Sequence, residues 1–104
     1  IPTSANQEDH VSMATFAARR LHEMINNAMN IVAIELLAAA QGVEFHRPRK
    51  SSAALEKVIT KLREVSPAFV EDRSLSADIA RVAQLIDDGQ FCEHAASVLP
   101  SHAT

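Results

Sequence analysis

Asn6, Gln7, Glu8, Asp9 and His10 form an unbroken run of side chains able to bind, orient or exchange protons. Two amides, two carboxylates and an imidazole could serve a polar substrate. A metal ion is a poor fit, because adjacent side chains rarely converge on one ion, and no metal is expected. Local readings compete with a site. Ser4 and Gln7 have the spacing of a capping box, and a carboxylate at Glu8 would be favourable near a helix N-terminus. Elsewhere the chemistry is thinner. His22-Glu23 opens like the zinc pattern H-E-x-x-H, but the closing position is Asn26, and one imidazole makes no such site. No Ser/His/Asp or Cys/His set is visible. Glu35 stands in an apolar stretch and reads as a buried carboxylate paired with an Arg or Lys across the bundle. His46, Arg47, Arg49 and Lys50 read as a solvated loop, with phosphate binding as the alternative. Met24 and Met29 read as core filler, and Cys92 as an inert thiol.

Helices must position these groups. Residues 1–9 read as a loop. His10–Gln41 then holds neither Pro nor Gly. Ala14, Ala18, Leu21, Ile25, Ala28 and Val32 recur by threes and fours along one helical face. Arg19, Glu23, Asn26 and Asn30 fall on another stripe. From Ile31 to Ala40 every residue but Glu35 is apolar, the pattern of a helix buried all round. Gly42 is placed to follow its end. A helix over 10–41 would run roughly 48 Å at ~1.5 Å per residue. A compact domain of about 100 residues has a radius of gyration near ~13 Å, a diameter of roughly 34 Å. Such a helix overshoots its own domain and needs partners from a longer chain or other subunits.

Val43–Lys50 reads as a loop. A second helix is expected over 51–64, capped by Ser51 or Ser52, with Leu55, Val58, Ile59 and Leu62 inward. Pro67 ends it. A third is expected over 74–88, capped by Ser74, with Ile79, Val82, Ala83 and Ile86 inward and Gly89 closing it. A short helical turn follows Phe91, and 98–104 is a tail. No segment alternates with period two, so the expected class is all-α.

No apolar run reaches the roughly 18 residues of a membrane span, and nothing at the start resembles a signal peptide. Cys92 is the only cysteine, which fits a reducing compartment. A net charge of -3 argues against a nucleic-acid partner. The start at Ile1 rather than Met suggests cleavage or truncation.

The string IPTSANQEDHVSM at Ile1–Met13 is similar to the histidine ammonia-lyase branch of the aromatic amino acid lyase family. AARR at Ala17–Arg20, AIELLAAAQGVEF at Ala33–Phe45 and VEDRSLSADI at Val70–Ile79 resemble the same family's last helices. The likeness thins after Phe91, and Ala14 stands where many members carry Gly. The resemblance implies a C-terminal segment of a cytoplasmic lyase that converts L-histidine to urocanate and ammonia, the opening step of histidine breakdown. It implies a homotetramer whose long helices bundle together. It also implies a methylidene-imidazolone electrophile cyclised from Ala-Ser-Gly. That triplet is absent from these residues, so it is expected upstream and the chain alone is expected to be inactive. The position after Asn-Gln lines the family's site, which implies a catalytic and substrate-binding role for Glu8 and a substrate-binding role for Gln7 and Asn6. Members acting on phenylalanine carry Gln there; a carboxylate can accept a charge-assisted hydrogen bond from an imidazole N–H. The alternative is a stand-alone helical oligomerisation module that keeps a lyase-like segment.

Overall fold

A computed structural model describes residues 4–8 and 11–94. Its helices are α1 (Ala14–Glu44), α2 (Ala53–Val65) and α3 (Ser76–Asp87), with a left-handed turn at Ser4–Asn6 and a one-turn 3-10 helix at Cys92–His94. The described residues contain no β-strand, so the all-α class holds. The tail at 98–104 and the helix start at His10 lie outside the described residues.

α1 differs from the expected 10–41 at both ends. Val11–Met13 are not helical, and Met13 takes the cap position with no side-chain cap bond. Freedom from Gly and Pro permits a helix without starting one. At the far end the helix runs through Gly42, which therefore is not its terminator. The cause is tertiary. Arg63 of α2 grips the Glu44 carboxylate, with Nε–Oε1 at 3.0 Å and Nη2–Oε2 at 2.7 Å, and holds a further turn in helical form.

Ser52 caps α2, its hydroxyl accepting from the Leu55 N–H at 3.3 Å. Ser74 does not cap α3; Leu75 occupies that position without a side-chain bond. Arg73 instead governs the entry, donating to Pro67 O at 2.8 Å and to the first-turn Asp78 at 3.4 Å. α3 ends as its sequence requires. Gly89 has φ 69°, its N–H reaches Ile86 O and that of Gln90 reaches Leu85 O, each at 3.0 Å. This is the paired closure that a left-handed glycine permits.

The core joins Ala33, Leu37 and Ala40 of α1, Ile59 and Leu62 of α2, and Val82 of α3, with Ile79, Ala83 and Ile86 packed against it. The expected burial of α1 all round does not occur within this chain. Ile31, Val32 and Ile34 are exposed, as are Phe16, Leu21, Met24 and Ile25 further back. Met24 is thus no core filler here. Glu35 is exposed as well, and the ion pairs present among the described residues do not include it. Both observations have one reason: α2 and α3 cover a single side of one half of a helix too long for them. The radius of gyration is 20.0 Å and the longest extent 68 Å, well beyond a compact chain of this length at ~13 Å.

Candidate functional site

The segment Ser4–Glu8 is bent by its backbone. Ala5 sits at φ 54°, ψ 37° and Asn6 at φ 66°, both left-handed. An L-residue in that region costs roughly 1–2 kcal/mol. Asn carries the conformation readily, because its short polar side chain can bond locally. Ala has no such compensation. Two successive positive φ values match the central pair of a type I′ turn. Gln7 continues the turn, and Glu8 follows it.

This geometry decides between the local readings. Glu8 precedes Met13, the residue capping α1, so it stands outside the first helical turn and the helix dipole does not explain it. Ser4 and Gln7 likewise have no α-helix to box. Asn6, Gln7 and Glu8 are consecutive and exposed; the chain brings them together only by adjacency. Two amides and one carboxylate are present in the run, and no electrophile. A pocket built on them needs walls from outside these residues. Asp9 and His10 lie outside the described residues, and no group of acids, His and Cys able to hold a metal occurs among those described.

A second polar centre lies where sequence reasoning placed none. Asp78, 3% exposed, accepts from Arg81 Nη2 at 2.9 Å and Arg73 Nε at 3.4 Å. Burial pushes its carboxyl up, but Ser66, Arg81 and Arg73 together hold it below the ordinary carboxylate range. The Ser66 hydroxyl is itself buried. Arg73 also donates to Ala68 O and Pro67 O and lies 5.1 Å over the Phe69 ring. The loop between α2 and α3 is further tied to α1 by Phe69 N–H donating to Gln41 Oε1 at 2.8 Å. Arg73, Phe69, Gln41 and Ser66 line, with Ile34 and Leu37, an open-sided cavity of about 180 Å³. Arg73 and Gln41 in its wall are engaged by the loop backbone, whereas the buried Ser66 hydroxyl has no hydrogen-bond partner among the described residues. The cue in the sequence was an Asp at the start of an amphipathic helix with an Arg on either side.

The basic loop is exposed throughout 46–50, as expected. Within it the Arg47 guanidinium forks onto Glu56 at 2.9 and 2.8 Å, and the Ser51 N–H adds a bond to Glu56 at 2.8 Å. Those bonds hold the Glu56 carboxyl down at about 2. With its fork occupied, Arg47 is not available for phosphate. Among the described residues no helix is long and apolar enough to cross a membrane.

Comparison with known proteins gives a consistent picture. A family model of aromatic amino acid lyases matches residues 1–64. Histidine ammonia-lyase of Rhodospirillum rubrum is 57% identical over 91 residues, covering 88% of this chain and 18% of the relative. That of Photobacterium profundum is 51% identical over 102 residues, covering 97% of this chain and 20% of the relative. The crystal structure of histidine ammonia-lyase from Trypanosoma cruzi superposes with a TM-score of 0.82 at 42% identity, over 99% of this chain and 20% of that one. The chain thus spans about a fifth of the length of these relatives.

Proposed function

Because the chain belongs to the aromatic amino acid lyase family, we propose that it is the C-terminal part of a histidine ammonia-lyase and supplies one carboxylate to that enzyme's site. The reaction breaks the C–N bond of L-histidine, removes a β-proton and leaves the double bond of urocanate, with release of ammonia. Amino-acid side chains supply bases and nucleophiles but no strong electrophile, so such an elimination recruits a cofactor. The family's methylidene-imidazolone needs an Ala-Ser-Gly triplet, and none occurs in residues 1–104. These residues therefore neither form the group nor perform a step through it. What they contribute is the Asn6–Gln7–Glu8 run.

The observation that carries this reading is the placement of Glu8 upstream of α1 and outside its first turn, where the helix dipole offers it no role. There its carboxylate is suited to accept a hydrogen bond from the substrate imidazole, with Gln7 and Asn6 as further contacts. The long, uncovered α1 supports assembly through that helix, a homotetramer in the full-length protein. A single cysteine, Cys92, fits a reducing compartment such as the cytoplasm. A stand-alone oligomerisation module would account for the bare α1 face and leave the bent polar run without a purpose.

The test is Glu8→Ala in the full-length enzyme. Loss of a charge-assisted contact costs about 1.5–3 kcal/mol, roughly a 10- to 150-fold fall in kcat/KM for histidine. The tetramer should persist, because Glu8 is exposed and its truncation opens no core cavity. Glu8→Gln should be milder if positioning is the role and equally severe if the charge is. Near-normal kcat/KM for Glu8→Ala, or a defect that follows only from loss of the tetramer, would sink the reading.

A further inference from the structure

We propose that Ala5 is a positioning residue: its left-handed backbone turns the chain so that the Glu8 carboxylate is held at its working place. The inference rests on the histidine-lyase reading of Glu8. Ala5 is at φ 54°, ψ 37° and is followed by Asn6 at φ 66°. Glycine, asparagine and aspartate normally fill such a central pair, since they tolerate positive φ. Asn6 meets that rule and Ala5 does not. An alanine methyl cannot form the local hydrogen bond that offsets the conformation for Asn. It persists where surrounding structure over-determines it, which happens chiefly at functional sites.

The position also separates backbone from side chain cleanly. The Ala5 side chain has no polar atom with which to bind substrate, and its methyl packs on no other part of the described residues. Whatever Ala5 does for the reaction passes through the direction it gives Asn6, Gln7 and Glu8. Misplacing a reacting contact by about 1 Å can cost on the order of 100-fold in rate, and a turn of this kind governs displacements larger than that.

The experiment uses the full-length enzyme and follows urocanate absorbance from L-histidine. Ala5→Gly accepts the same backbone and should keep kcat/KM within about twofold. Ala5→Val puts a β-branched side chain where φ is positive, a genuine outlier, and should lower kcat/KM at least tenfold. In a Glu8→Ala background the same Ala5→Val change should cost at least threefold less than in the parent, because a carboxylate already removed cannot be misplaced and only the Gln7 and Asn6 contacts remain to be lost. An equal loss in both backgrounds would show a role independent of Glu8 and overturn the proposal, as would an Ala5→Val enzyme of normal activity. If Ala5→Val does not assemble, Ala5→Gly decides alone: retention supports the proposal and a tenfold loss overturns it. A parent enzyme that makes no urocanate, or a silent Glu8→Ala, brings down the histidine-lyase reading and this inference together, before any Ala5 variant is compared.

Discussion

Ala33, Leu37 and Ala40 in the second half of α1 are buried against α2 and α3, whereas Phe16, Leu21 and Ile25 in the first half stay exposed. Both stretches carry apolar residues at helical spacing, and both lie in one continuous helix. Periodicity states which face of a helix is to be covered; it does not state by what. The second region carries its own cover. Its loops are clamped by Arg47 on Glu56, Arg63 on Glu44, and Arg73 and Arg81 on Asp78. The first region presents a bare face and, upstream of it, the bent polar run that ends at Glu8. A segment that shares its site and core with other parts of an assembly would be divided in this way: one end packs on itself, the other awaits partners.

The comparison is broken or upheld most forcefully at the core. Leu62 is 1% exposed, and truncating such a residue costs about 2–5 kcal/mol through lost transfer energy and the cavity left behind. Leu62→Ala should therefore lower the urea midpoint of this chain sharply. Ile25→Ala, at an exposed position, should change its stability by no more than about 0.5 kcal/mol. Equal effects at the two positions would mean that the first half of α1 is covered within the chain after all.

A smaller effect sharpens the same contrast through charge. Asp78→Ala leaves Arg73 and Arg81 without their carboxylate. Losing hydrogen bonds to a charged group costs about 1.5–3 kcal/mol, and both arginines can turn partly to water, which holds the loss within that range. Acid should reproduce part of it without mutation. The folded Asp78 carboxyl is held below its ordinary value of 3.8, and that of Glu44, chiefly through Arg63, below 4.5. A depressed folded pKa means that the stabilisation is complete above the unfolded value and disappears as pH falls through the folded one. Stability should thus fall as pH drops below about 4.5, and the Asp78→Ala chain should fall less steeply over the same range. A parent chain whose urea midpoint is unchanged in that range would remove these carboxylates from the account.

Much of the fold was legible before any coordinates, and the misses have physical causes. Pro67 and Gly89 punctuate α2 and α3, and Ile79, Val82, Ala83 and Ile86 recur at helical spacing, so element type and inward face could be read directly. The end of α1 could not be read, because it depends on Arg63 reaching Glu44 across an intervening loop. No local pattern marks Gly42 as an interior residue. Asp78 was hidden for a similar reason: an acid in a first helical turn has a sufficient local explanation, and only packing reveals that Arg73, Arg81 and Ser66 converge on it. At the candidate site, Asn6, Gln7 and Glu8 were singled out by resemblance to a family. Their spacing alone favoured a helix cap, which the later start of α1 excludes. The left-handed turn at Ala5 was illegible in principle, since alanine has no preference for it.

The smallest expected difference lies at the two helix starts. Four N–H groups at the head of any α-helix lack intrahelical partners, and a serine that accepts from one of them is worth about 1 kcal/mol over alanine. Ser52 meets the geometry: its φ and ψ are extended and its hydroxyl accepts from Leu55 N–H at 3.3 Å. Ser12 only resembles it. Its hydroxyl lies 3.4 Å from the Ala14 N–H, two residues on, while Met13 holds the cap position and makes no side-chain bond. Ser52→Ala should therefore cost about 1 kcal/mol and speed amide exchange in the first turn of α2. Ser12→Ala should leave the denaturation midpoint within about 0.5 kcal/mol of the parent and change exchange little. A loss from Ser12→Ala as large as that from Ser52→Ala would show that α1 is capped within this chain. The head of α1 would then belong with the self-supporting region, and the division would have to be drawn upstream of Ser12.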